Sequence, residues 1–201
     1  MKLTTTTQIS VDGVMEGNGG QRDNRPGFER GGWARGLFHT ESASFVDDVY
    51  QRADAFMFGR RTYDLFARYW GGERRHDVDS PIVNALNTKP KYVASNTLTE
   101  ADWPNTTVLS GDVAAAIREL KAQPGGELQV HGSGMLIRWL LANDLVNEMN
   151  LLVCPVIVGQ GDRLFPESGP DLALDLTESR VFPNGITLQV YRPAGQPTYA
   201  D

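Results

Sequence analysis

Apolar positions along the chain switch between two periods. Lys2 to Ser10 is threonine-rich and β-prone, whereas Phe45, Val46, Val49, Tyr50 and Ala53 recur at helical spacing. The run Ala55-Phe56-Met57-Phe58 reads as a short strand that stops at Gly59, after which Tyr63, Phe66, Ala67 and Trp70 fall on one helix face. Lys91 to Ser95 is a further strand. A polar loop containing Pro104 follows, and Asp112 is placed to cap a helix that turns Val113, Ala116, Ile117 and Leu120 inward. Glu127 to His131 then passes through Gly132-Ser133-Gly134 into a helix carrying Met135, Leu136, Trp139 and Leu140, so the strand-to-helix junction recurs. From Val146 the period changes. Met149 to Val158 is nearly all apolar, as in a strand buried on both faces or one shared with a second copy in a homodimer, and Ile186 to Tyr191 reads as the last strand. The pattern predicts one α/β domain over residues 1–201, with a mainly parallel central sheet, helices on both faces and antiparallel strands at the C-terminal end. The Gly-rich, charge-mixed stretch 16–36 is expected to be a mobile loop, long enough to serve a site.

Composition narrows the partners more than the fold. With 40% hydrophobic and 22% charged residues over 201 positions, a disordered chain is excluded as the main state. Acidic residues outnumber basic ones, 25 to 19, a net charge of -6 that disfavours nucleic acid and anionic membrane as partners and leaves a small molecule. The single cysteine, Cys154, cannot form an intramolecular disulfide, so a cytoplasmic location is expected. Residues Met1 to Thr7 lack an apolar signal core, and the run Leu151 to Val158 is far shorter than the roughly 20 residues of a membrane span.

Candidate chemistry concentrates at the two glycine junctions. Gly59-Arg60-Arg61-Thr62 and Gly132-Ser133-Gly134-Met135 each put glycine where a strand enters a helix, the place at which open α/β sheets bind anionic groups on helix N-termini. Turn chemistry alone accounts for either one. Found together, with guanidinium groups at Arg60 and Arg61 and hydroxyls at Thr62 and Ser133, they suggest a dinucleotide. His39, His76 and His131 stand apart, beside no Cys or carboxylate at ligand spacing, so no metal site is expected. Ser133 has His131 and Met135 where a Gly-x-Ser-x-Gly nucleophile elbow needs glycine, and Gly159-Gln160-Gly161 is read as a turn. Trp70 and Trp139 are expected in the core, and Trp33, in the long loop, is the tryptophan expected to touch substrate.

The order and spacing of several short motifs resemble the dihydrofolate reductase superfamily, and within it the bacterial proteins related to the reductase domain of the riboflavin-biosynthesis deaminase-reductase. They are Ser10-Val11-Asp12-Gly13, Phe58 to Tyr63, Val93-Ala94-Ser95-Asn96, His131 to Gly134, and Leu145 to Met149 leading into Cys154 to Gly161 and Leu164-Phe165. The resemblance implies a dihydrofolate-reductase-like three-layer fold and NADPH as cofactor. Gly59, Arg60, Arg61 and Thr62 with Gly132, Ser133, Gly134 and Met135 would then hold its pyrophosphate. Ser95 and Arg60 would lie near the 2′-phosphate, with Gln8, Val14 and Met15 along the nicotinamide. Asn96 stands where many members carry a basic residue, which leaves NADH open.

On the substrate side the chain departs from the family. Ala43 falls about where dihydrofolate reductases keep a substrate-binding carboxylate, and the sequence after Thr62 does not match the riboflavin reductase. Glu41, Asp48 and Asp12 are the acidic candidates for proton donation, with Asp47 and Asp48 equally suited to solvation on the surface and Asp12 to ordering the loop that follows the first strand. The expected function is an NAD(P)H-dependent reductase of a small planar heterocycle or another C=N or C=O compound. The alternative is a non-catalytic module that binds a nucleotide or pterin on the same fold.

Overall fold

The computed structural model describes residues 1–19, 26–37, 41–71, 80–169 and 171–200; His39, His76 and the middle of the 16–36 stretch lie outside these. The elements run β1 (Lys2–Ser10), α1 (Glu41–Arg52), β2 (Ala53–Gly59), α2 (Arg60–Trp70), α3 (Pro81–Thr88), β3 (Lys91–Ala94), β4 (Thr106–Leu109), α4 (Val113–Ala122), β5 (Glu127–His131), α5 (Gly134–Ala142), β6 (Glu148–Cys154), β7 (Leu174–Val181) and β8 (Thr187–Pro193). One eight-stranded sheet has the order β4-β3-β2-β5-β1-β6-β8-β7. Its pairings are parallel from β4 to β6, and β8 and β7 close that edge as antiparallel strands. This is the expected α/β architecture. From β1 the chain crosses β5 to reach β2, so the connections diverge on either side of the β1/β5 pair and leave a crevice at the carboxyl ends of those strands.

Period-2 alternation divides the buried side chains between the two faces of the sheet. Phe56 and Phe58 of β2 join Leu152, Cys154, Leu188 and Val190 under Val46 and Tyr50 of α1, Tyr63 of α2 and Leu86 of α3. Ala55 and Met57 point the other way, with Leu3, Leu128, Val130 and Met149, against Ile117 of α4 and Leu136, Ile137 and Leu140 of α5. Asp112 caps α4 as expected, its Oδ1 accepting from Ala115 N at 2.9 Å. Among the described residues no helix is long and apolar enough to cross a membrane, and no group of three or more His, Cys, Asp or Glu is placed to hold a metal ion.

Several details depart from the sequence pattern. β6 ends at Cys154 rather than Val158, because Pro155 offers no N–H to continue the ladder. It is flanked by β1 and β8 on its two edges, so its apolar run is accounted for by the sheet interior. Trp139 is 38% exposed instead of lying in the core, whereas Trp70 packs against the apolar cluster beneath α1 and α2. Ala53 opens β2 rather than closing the preceding helix. The structure adds α3, β4 and β7, which the pattern leaves as loops.

Candidate functional site: a backbone cradle beside a polar strip

The two glycine junctions meet in space. β2 runs without interruption into α2, and β5 reaches α5 through Gly132 (φ 64°) and Ser133 (φ 58°). Gly59 N donates to Ser133 Oγ at 3.0 Å, and a Cβ on Gly132 would sit 3.6 Å from Thr62 Cγ2. A left-handed serine costs roughly 1–2 kcal/mol, which the Gly59 hydrogen bond helps offset. Neither Gly59 nor Ser133 caps its helix with a side-chain hydrogen bond. The first-turn N–H groups of Arg60, Arg61 and Thr62, and of Gly134, Met135 and Leu136, therefore have no acceptor in their own helices, and two partial positive charges lie side by side. A Cβ on Gly59 would make only ordinary contacts, 3.7 Å to Leu136 Cβ, so the missing side chain leaves room above the helix end. At Gly134 it would collide with Met15 Sδ, which places the Met15 thioether directly over the start of α5.

Charged groups around the cradle are engaged. Arg60 Nε contacts both oxygens of Asp64, at 2.9 and 2.8 Å, on the exposed side of α2. Arg61 Nη2 lies 3.5 Å from Glu16 Oε1. Glu16 is buried; its Oε2 accepts from Asp162 N at 3.0 Å and its carbonyl accepts from Trp33 Nε1 at 2.7 Å. It thus joins the start of the long loop, α2 and the 162 turn, a role that a single acid in a Gly-rich stretch did not announce. Ser95 and Asn96 follow Ala94, which pairs with Gly59, so both stand beside the cradle. Ser95 Oγ accepts from Thr97 N and Leu98 N, at 3.2 and 3.0 Å, and shapes its own turn, while Asn96 is exposed.

The end of β1 carries the remaining candidates. Gln8 Oε1 accepts from Asn18 Nδ2 at 2.9 Å, and Val14 is fully buried, its N–H donating to Ser10 Oγ at 2.9 Å. Asp12 accepts from Ser10 Oγ (2.7 Å), Val158 N (2.9 Å) and Gly159 N (2.8 Å). The Ser10 hydroxyl and these amides hold its carboxyl down at about 2, so Asp12 ties the 158–159 turn as an anion. Glu41 and Asp48 are exposed on α1, whose buried positions, Ser42, Val46, Val49 and Tyr50, include no carboxylate. Desolvation, then the neighbouring Asp48, raises Asp47 above the usual carboxylate range. Ala43 is half-buried, and Trp33 packs against the cluster beneath α1 and α2.

One feature of the sheet was not expected from the sequence. Thr6 of β1 pairs with His131 of β5 on one side and with Asn150 of β6 on the other, which sets three polar side chains in a row across parallel strands. Asn150 Nδ2 donates to Thr6 Oγ1 at 3.1 Å. His131 Nδ1 is sealed from solvent and has no hydrogen-bond partner among the described residues, with Tyr50 and Phe66 ring centroids 5.3 and 5.8 Å from the imidazole. Burial lowers the imidazole to about 4, so the ring is neutral at pH 7.

A mainly parallel sheet with two uncapped helix ends converging at its switch point defines an α/β protein of the dihydrofolate-reductase-like class. The chain belongs to the RibD C-terminal domain family, whose model matches residues 1–188. Two uncharacterized proteins of Bacillus subtilis (strain 168) are similar to it. YyaP is 27% identical over 184 residues, 91% of this chain and 90% of YyaP, and YwjB is 23% identical over 184 residues, 92% and 94% of the two chains. Among solved structures, a Shewanella sp. PV-4 protein assigned to riboflavin biosynthesis superposes with a TM-score of 0.72 at 25% identity, covering 96% of this chain and 99% of that one. A pyrimidine reductase-like protein of Corynebacterium diphtheriae shares the fold, with a TM-score of 0.63 at 14% identity over 96% and 92% of the chains. Family and neighbours support a reductase-type function.

Proposed function

We propose that the chain is an NADPH-dependent reductase that delivers hydride to a C=N or C=O group of a small planar, heterocyclic substrate. The observation that carries this reading is the contact between the two glycine junctions, closed by the Gly59 to Ser133 hydrogen bond, which brings the N-terminal ends of α2 and α5 to one place. The residues fit a dinucleotide: a diphosphate needs several N–H donors at close approach, Gly59 leaves space for it at the start of α2, and the flexible Met15 thioether over Gly134 has to swing aside at the start of α5. When bound, the nicotinamide supplies the hydride. The chain's own part is to fix the diphosphate on the ends of α2 and α5 and to exclude water with the segment anchored by Glu16 and Trp33. Asp12 is already committed as an anion and the sheet-facing side of α1 has no acid, so the proton that completes reduction is assigned to solvent at the mouth of the crevice.

NADPH is favoured by Arg60 and Arg61, while Asn96 and the hold of Asp64 on Arg60 keep NADH usable. Tryptophan fluorescence titration with each nucleotide tests the reading; saturable quenching by NADPH is expected, and no change with either nucleotide overturns it. Reversal of Arg60 and Arg61 to Glu is expected to weaken NADPH more than NADH. The lack of a carboxylate on the buried side of α1 favours a second reading, a non-catalytic nucleotide- or pterin-binding module. Nucleotide binding without oxidation of NADPH across pterins, pyrimidines and small carbonyls would select it. The reading puts the protein in the reducing cytoplasm, which suits a single thiol, Cys154, that burial pushes up to about 12.

A further inference from the structure

We propose that His131 is the substrate-contacting residue that sets specificity: held in a row with Thr6 and Asn150, it offers a neutral hydrogen-bond partner and selects an uncharged polar edge of the substrate over an anionic one. The inference rests on the reductase reading of the crevice and assigns a residue on its substrate side.

Position comes first. His131 immediately precedes Gly132, so its side chain leaves β5 at the last residue before the cradle. By strand alternation it emerges on the face of the sheet shared by Thr6 and Asn150, opposite the face that packs on α5. Gln8, two residues beyond Thr6 on β1, is on this same face. A ring bound beside the cradle would therefore have His131 beneath it.

Hydrogen-bond accounting comes second. Thr6 and Asn150 satisfy one another at 3.1 Å, and both are almost wholly buried. The imidazole Nδ1 of His131 makes no hydrogen bond with the described residues, and the aromatic rings of Tyr50 and Phe66 that wall it can supply none of comparable strength. Buried polar atoms in folded proteins nearly always find a partner, so an orphaned imidazole nitrogen at the edge of a ligand crevice points to a group brought by the ligand. The residue as a whole is half-buried, so a ligand that engages the sealed Nδ1 has to displace part of the wall formed by Tyr50 and Phe66.

Charge decides the class of that group. Tyr50 and Phe66, the rings that wall the imidazole, Thr6, its partner across the ladder, and Asn150 one strand further on carry no charge at neutral pH, and burial keeps the imidazole itself uncharged. An anionic substituent placed here would lose its hydration with no cation to replace it. A ring N–H or C=O edge meets no such penalty, because a neutral imidazole donates from one nitrogen and accepts at the other.

The test uses the full chain with saturating NADP⁺ and three probes on one ring system: quinazolin-4(3H)-one, a neutral bicyclic lactam, its 2-carboxylate, and the neutral 2-carboxamide as the size control for the carboxylate. Calorimetry is expected to show the lactam and the carboxamide each binding about tenfold or more tighter than the carboxylate. His131→Leu is expected to lose about tenfold of the lactam affinity, and His131→Gln, which keeps a neutral polar group, to stay within about threefold of the parent. In ¹⁵N-histidine spectra, the signal that disappears in His131→Gln should move when the lactam is added. Preference for the carboxylate, equal lactam affinity in the Leu variant, an unmoved His131 signal, or no lactam binding to the parent chain would each overturn the proposal. A separate NADP⁺ titration of all three proteins distinguishes the two readings. Normal nucleotide binding with unselective lactam binding overturns the role of His131 alone, whereas selective lactam binding without nucleotide binding supports that role and overturns the reductase.

Discussion

The two sides of the crevice are built from different material. On the cradle side, Gly59, Gly132 and Gly134 strip side chains away, and what they present are backbone N–H groups at the starts of α2 and α5. On the sheet side the backbone is consumed by the β1, β5 and β6 ladders, and only side chains are left to speak: Thr6, Asn150 and His131. A backbone cradle, in the reading proposed above, suits what dinucleotides share, a diphosphate, and tolerates little change in conformation. A side-chain row can be rewritten residue by residue while the backbone ladders stay in place, which suits a side of the site that sets specificity.

The sharpest test of the contrast is the pH dependence of stability, because it isolates one side chain of the row. His131 is held near 4 in the folded chain against 6.5 for a free imidazole, so between these values the unfolded chain binds the extra proton. Stability is therefore at its full value above about pH 6.5 and falls as the pH drops toward 4, by about 3 kcal/mol for this group. Denaturant melts at pH 7 and pH 4.5 should show a smaller difference in His131→Phe than in the parent. An unchanged difference would mean that the imidazole is solvated.

On the cradle side the largest response is expected from Gly132→Val. A β-branched residue at φ 64° strains the turn, although its Cβ would only touch Thr62 at 3.6 Å, and we expect a loss of about 2 kcal/mol in stability. NADPH affinity should fall with it, while lactam binding to the row is less affected. Ser133→Ala is gentler. Removing the acceptor of Gly59 N should cost about 1 kcal/mol and loosen the two junctions relative to each other. Thermal melts read the first effect and fluorescence titration with NADPH the second; if nucleotide affinity survives unaltered, the hydrogen bond does not organise the cradle.

The same contrast explains what could be read before the structure. The cradle was legible because glycine after a strand is a local signal, as were the periodic faces of α1, α2, α4 and α5. α3 spans only Pro81–Thr88, too short to establish a period, and β4 has four residues at the sheet edge. β7 is exposed along nearly its whole length, so no burial alternation marks it. The row was illegible for a different reason. Thr6, His131 and Asn150 come from strands far apart in the chain, and only the parallel register makes them neighbours. His131, considered alone, offered a metal ligand without companions; its meaning lies in the two residues beside it. Glu16 was hidden in the same way, since its partners Arg61 and Asp162 lie on other elements.

The smallest expected effect concerns which cofactor the cradle prefers. Arg60 is doubly engaged by Asp64 one helical turn on, and both side chains are well exposed, so Asp64→Asn should change stability by no more than about 0.5 kcal/mol. It releases a guanidinium at the end of α2, next to the turn formed by Ser95 and Asn96. A 2′-phosphate gains from that charge and a 2′-hydroxyl does not, so NADPH should tighten about two- to fivefold while NADH stays within error. Parallel titrations of the two nucleotides with parent and variant measure the ratio directly. If both tighten together, Arg60 serves the diphosphate that the cofactors share, and the cradle is a purely backbone device with no reader of the adenosine end on α2.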